Sequence, residues 1–88
     1  MIFLFYTFVV SKDFFSSLFH FMKNSIQNFV FKFRAEKNIT QEALAQKVGV
    51  TRQTIIAIEK GNYIPSVQLA LKLAHFFKKP VEEVFSLQ

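Results

Sequence analysis

The sequence predicts an all-α fold, and three observations carry that expectation. Apolar side chains recur at helical spacing, as in Ile26, Val30 and Phe33 at i, i+4 and i+7. Thr40, Thr51 and Ser66 each stand just before such a segment, where a hydroxyl can accept a hydrogen bond from a free first-turn amide. Gln41–Lys60 reads as a helix, a short turn with Gly49, and a second helix. The 88 residues are enough for one small domain with its own core.

The first helix is expected from Ser25, capped by Ser25 or Asn24, with Ile26, Val30 and Phe33 as its buried stripe. Phe29 widens that stripe, and Phe31 falls off it. Arg34, Ala35, Glu36 and Lys37 finish the helix. Asn38 ends it in the left-handed conformation that Asn tolerates, and Ile39 turns back to the core. Thr40 opens the second helix, Gln41–Lys47, with Leu44 and Val48 inward and Ala45 at a close approach between helices.

Thr51 opens the third helix and Gly61 closes it at a positive φ. Val50, Ile55 and Ile58 turn inward together, leaving Arg52, Gln53, Ile56, Ala57 and Lys60 outside. Arg and Gln near the N-terminus of an exposed helix suit base edges in a DNA major groove. Arg can donate two hydrogen bonds to guanine, and Gln can pair with adenine. Leu44, Ala45, Val48, Gly49, Val50, Ile55 and Ile58 all occupy positions where such a unit needs small, turning or apolar side chains. That many matches in one register make a specific signal.

Ser66 caps a fourth helix that runs to about Phe77, after Pro65 closes the preceding loop. Val67, Ala70, Leu73, Ala74 and Phe77 share its core face, while Leu69, Leu71 and Phe76 make it apolar nearly all round. That excess is covered by neighbouring helices, by residues 1–21, or by a second copy of the chain. Pro80 starts a short fifth helix, with Val81, Val84 and Phe85 inward. Glu82 and Glu83 fall in its first turn, where the helix dipole favours them.

Charge divides the chain at about Met22. Residues 1–21 hold seven of the thirteen Phe residues, and their only charges, Lys12 and Asp13, cancel. The formal net charge of +5 therefore belongs to residues 22–88, which favours an anionic partner. The first apolar run is broken by Ser11-Lys12-Asp13, well short of the ~20 residues of a membrane-spanning helix. It also lacks the basic start and small-residue cleavage site of a signal peptide. Residues 1–21 are expected to be a dispensable extension ahead of an ordinary start at Met22, and residues 22–88 the functional domain. The alternative is an apolar patch that needs a partner, a membrane or the surface of its own domain.

The chain has no Cys, and its two His residues, His20 and His75, stand alone, so neither a thiolate zinc site nor a metal cluster is expected. There is no glycine-rich phosphate loop and no Ser/His/Asp set. No paired carboxylates are expected beyond the adjacent Glu82-Glu83, which point different ways on a helix. No enzyme and no cofactor is expected.

Residues from about 26 to 85 resemble the lambda-repressor/Cro type of helix-turn-helix regulators, the xenobiotic-response-element family of bacteria and phages. The string ITQEALAQKVGVTRQTIIAIEKGNYIPS carries the resemblance, followed by a Leu- and Ala-rich helix and a short VEEVF helix. It implies a compact bundle of five helices, the second crossing the phosphate backbone and the third entering the major groove. By the same resemblance Gln41 would bond a phosphate, and Thr51, Arg52, Gln53 and Ala57 would face bases. Ile56 would meet a thymine methyl, and Lys60, Asn62 and Tyr63 would hold phosphate. Arg34 would pair with Glu59 beneath the DNA face. Lys78-Lys79 departs from the Gly and small apolar residue common before the fifth helix in relatives.

The function implied is a cytoplasmic, sequence-specific regulator of transcription, most simply a repressor, acting as a homodimer on double-stranded DNA. Two alternatives accompany it. One is an antitoxin with a toxin or other protein partner; the other is an interaction module tethered to a membrane by residues 1–21.

Overall fold

Seven short elements follow one another in the computed structural model, which describes residues 26–87. They are strand β1 (Ile26–Asn28), helices α1 (Val30–Glu36), α2 (Gln41–Val48), α3 (Arg52–Glu59), α4 (Val67–Phe77) and α5 (Val81–Val84), and strand β2 (Phe85–Leu87). The expected extension over residues 1–21, and the Asn24 and Ser25 caps, lie outside the described residues.

Local chemistry starts three of the helices. Thr40, Thr51 and Ser66 have extended backbones, and their hydroxyls accept from the amides of Ala43, Thr54 and Leu69. The ends are also chemical. Asn38 takes φ 58°, Gly49 φ 77° and Gly61 φ 80°, the left-handed conformation that Asn and Gly reach at least cost. Lys78 adopts the same conformation, with φ 58°, at the end of α4. The side chain there is not the one the backbone prefers, yet the turn forms.

The core is made where α1 to α5 converge. Val30, Leu44, Ile55, Ile58, Leu73 and Val84 are completely buried. Each such aliphatic side chain contributes about 1.5–3 kcal/mol on leaving water. Phe33 of α1 meets Phe77 of α4 with ring centres 5.7 Å apart, and Phe76 stands edge-on to Phe77 at 5.5 Å. Ala45 is buried among them, as its place between helices requires. Ile39, Val50, Val81 and Phe85 pack on the margin of this cluster.

Three expectations are corrected. The first helix does not begin at Ser25 but at Val30. Ile26–Asn28 instead pair antiparallel with Phe85–Leu87, Ile26 opposite Leu87 and Asn28 opposite Phe85. The amide of Phe29 extends the pairing by donating to the Val84 carbonyl at 2.8 Å. Ile26 satisfies a helical stripe and a strand equally well, and its strand partner lies at the far end of the sequence, where local periodicity cannot reach. The fold is therefore mainly helical with a two-stranded ribbon, not purely α.

The buried face of α4 is also different. Leu69, Leu73, Ala74 and Phe77 are buried, whereas Val67 is 76% exposed. Val67 lies two residues from Leu69, roughly 200° around the helix. Once Leu69 and Leu73 point inward, Val67 must point out. Finally, α5 stops at Val84. Phe85 already has the extended backbone of β2, with φ −131° and ψ 134°, and packs on the core from there. No helix among the described residues is long and apolar enough to cross a membrane.

Candidate nucleic-acid interface

Helix α3 owes its exposed outer face to the two isoleucines that anchor its inner one. Ile55 and Ile58 are fully buried, and Ile56 and Ala57 are half-buried beside them. Arg52 and Gln53 in the first turn, and Lys60 just past the last, are exposed. Asn62 and Tyr63, in the loop that follows, are exposed as well. Among the described residues, the side chains of these five make no hydrogen bond or ion pair. Their donors are available to a ligand.

Thr51 is committed differently. Its hydroxyl accepts from the Thr54 amide at 3.3 Å and lies 3.1 Å from the Thr54 hydroxyl. It is exposed, so a base or phosphate can reach it, but its first task is to cap α3. Thr54, half-buried, completes that cap.

The only carboxylate of α3, Glu59, is turned inward and neutralised. Arg34 Nε donates to Glu59 Oε2 at 2.7 Å and Arg34 Nη2 to Oε1 at 3.2 Å. Gln41 Nε2 donates to the same Oε1 at 2.9 Å. Arg34 also donates from Nη1 to the Ile39 carbonyl at 3.0 Å. With Glu59 withdrawn, the exposed face of α3 and its flank carries Arg52 and Lys60 and no carboxylate, so it is electropositive.

Gln41 is thus half-buried at the start of α2 and tied to α3. One hydrogen of its amide goes to Glu59; the second has no partner among the described residues. The residues proposed for bases, Thr51, Arg52, Gln53, Ile56 and Ala57, all lie on or at the start of α3, within about two helical turns. Gln41 joins them from α2, and Lys60, Asn62 and Tyr63 follow in the loop.

Asn28 is the residue that sequence reasoning missed. Its Nδ2 donates to the Ile58 carbonyl of α3 at 2.9 Å, and its Oδ1 accepts from the Val30 amide at 3.2 Å. The available signal was an Asn two residues before Val30, a placement typical of an Asx turn at a helix start. Reading the helix from Ser25 concealed it.

The geometry is that of two helices, α2 and α3, joined by a short turn and held together by Glu59 and Gln41, and comparison with known proteins identifies the family. Residues 30–84 match the helix-turn-helix family model. An uncharacterized HTH-type transcriptional regulator of Methanocaldococcus jannaschii is 55% identical over 64 residues, 73% of this chain and 91% of the relative. A second, YgzD of Bacillus subtilis, is 49% identical over 67 residues, 76% of this chain and 96% of the relative. The cryptic phage CTXphi transcriptional repressor RstR of Vibrio cholerae is 38% identical over 53 residues, 60% of this chain and 48% of the relative.

Proposed function

Because this chain belongs to the Cro/XRE-type helix-turn-helix family of transcriptional regulators, we propose that it reads a specific double-stranded DNA sequence as a homodimer and represses transcription there. The observation that carries this reading is the pair Arg52 and Gln53. Both side chains are exposed in the first turn of α3 and unpartnered among the described residues, above an inner face that is fully buried.

The mechanism follows from what each group can donate. Lys60, Asn62, Tyr63 and the second amide hydrogen of Gln41 hold phosphate and set the register of the protein on the duplex. Arg52 donates to guanine and Gln53 pairs with adenine in the major groove, with Ile56 and Ala57 offering apolar contact to a thymine methyl. One eight-residue helix spans only a few base pairs. Two copies related by a two-fold axis double the site and place half-sites about 34 Å apart. Occupancy then blocks polymerase. The name of the Vibrio cholerae relative, a transcriptional repressor, supports that sign. Residues 22–88 form the DNA-binding unit and residues 1–21 a separate extension.

The test is a selection from random oligonucleotides by the full chain at near-physiological salt. Enrichment of a short palindrome is expected. Repeating the selection with residues 22–88 is expected to return the same palindrome, which would assign DNA reading to that unit. Recovery of no motif by either protein would overturn sequence-specific reading.

A further inference from the structure

The two ends of α3 are held in different ways. At its N-terminus the only side-chain bonds among the described residues are those of Thr51 with Thr54, both local. At its C-terminus three separate elements converge. Arg34 from α1 and Gln41 from α2 hold the Glu59 carboxylate, and Asn28 from β1 holds the Ile58 carbonyl. That carbonyl also accepts from the Gly61 amide at 2.9 Å, in the turn that ends the helix.

We infer that Asn28 is a positioning residue for DNA reading: it fixes the angle of α3 from the ribbon side and so sets sequence selectivity without touching DNA. This rests on the proposed role of α3 as the base-reading helix. Asn28 lies opposite Phe85 in the ribbon, and the next residue, Phe29, donates its amide to the Val84 carbonyl. The Asn28 side chain is therefore mounted on backbone that is itself held from α5 and β2. Its two polar atoms do two jobs. Oδ1 accepts from the Val30 amide at the first residue of α1, while Nδ2 reaches across to α3.

Lever geometry gives the consequence. Eight residues of helix span about 12 Å, so a tilt of about 10° at the clamped end moves the Arg52 end by about 2 Å. A hydrogen bond to a base edge tolerates only about 0.5 Å of error before it weakens steeply. Phosphate contacts from flexible Lys side chains accommodate such a shift; a two-donor contact from Arg52 does not. Loss of the Asn28 donor should therefore reduce specific binding more than general affinity for DNA.

Two variants of the full chain separate the two jobs. Asn28→Ser keeps an acceptor for the Val30 amide but cannot reach Ile58. Asn28→Asp keeps the acceptor and the shape but has no hydrogen to donate to the Ile58 carbonyl. Two quantities are read, both at a temperature where each variant is fully folded by circular dichroism. One is affinity for the selected palindrome relative to a scrambled duplex of equal length. The other is amide hydrogen exchange at Lys60, Gly61 and Asn62 in the free protein, with Leu73 and Ala74 of α4 as internal reference.

The expected result for both variants is a loss of about tenfold in affinity for the palindrome, the worth of one hydrogen bond. For Asn28→Ser, which changes no charge, affinity for the scrambled duplex should stay within about twofold. Exchange at Lys60–Asn62 should rise about tenfold relative to α4. Faster exchange with an unchanged affinity ratio would overturn the positioning role, because the bond would then be structural alone. Unchanged exchange and an unchanged ratio would overturn the clamp itself. A wild-type chain that selects no palindrome would remove the reading on which the inference rests. The inference would fall with it, and the exchange data would distinguish that failure from failure of the clamp.

Discussion

Arg34 and Glu59 meet through two N–H···O hydrogen bonds, Nε to Oε2 at 2.7 Å and Nη2 to Oε1 at 3.2 Å. Both side chains are largely out of water, 14% and 7% exposed. Desolvation of two such charges takes back much of their mutual attraction, so the pair is better understood as a device that orients α3 against α1 than as a source of net stability. The asymmetry of that balance gives a prediction. Arg34→Met alone leaves a largely desolvated carboxylate with the Gln41 amide, and Glu59→Leu alone leaves a largely desolvated guanidinium with the Ile39 carbonyl and the face of the Phe31 ring. Each should destabilise the fold by about 3 kcal/mol. The double variant should recover part of the sum, because no unpaired charge remains. Urea denaturation of the four proteins measures this directly. Strict additivity of the two single effects would show that the residues do not act as a pair.

Much of this architecture is legible from individual residues, and the rest is hidden for one reason. Thr40, Thr51 and Ser66 announce their helices because a cap is local: the hydroxyl and the amide it serves are three residues apart. Gly49 and Asn38 announce turns for the same reason. Ile26–Asn28 do not announce a strand, because what makes them one is Phe85–Leu87. Val67 follows the same rule. The stripe on α4 is ambiguous until one knows which side the other helices occupy, and they take the side of Leu69 and Leu73. The exposed Arg52 and Gln53 follow from short-range pattern, whereas the clamp through Asn28 spans thirty residues and follows only from the folded chain.

Lys78 provides a stability prediction of the opposite sign. It ends α4 with φ 58° and ψ 43°, donating its amide to the α4 carbonyls of Ala74 and His75. A side chain in that conformation is strained by about 1–2 kcal/mol, part of which Gly loses again through its freer unfolded chain. Lys78→Gly should therefore stabilise the fold by about 0.5–1 kcal/mol, read as a rise in melting temperature of a few degrees. Gly49→Ala should do the reverse, by about 1 kcal/mol. A Cβ at Gly49 meets no atom within 4 Å, so the whole effect there would come from φ 77°. If Lys78→Gly lowered the melting temperature, the left-handed end of α4 would not be a source of strain in solution.

The residues proposed to face DNA should separate by kind when each is removed. Arg52 and Gln53 are exposed on the first turn of α3 and offer paired hydrogen bonds, which is why the proposed reading gives them the bases. Arg52→Ala or Gln53→Ala should cost about 1–3 kcal/mol of specific binding and relax base preference at one position in each half-site. Lys60 lies just past the other end of the helix and offers a point charge, which is why the proposed reading gives it a phosphate. Lys60→Ala should weaken binding to every sequence alike and reduce the slope of log affinity against log salt by about 1. Titrations of the selected palindrome and a scrambled duplex at several salt concentrations read both quantities. An Arg52→Ala variant that keeps the wild-type motif and affinity would mean that α3 enters the groove by another face. A Lys60→Ala variant that alters the preferred sequence would mean that the C-terminal end of α3, and not its first turn, lies against the bases.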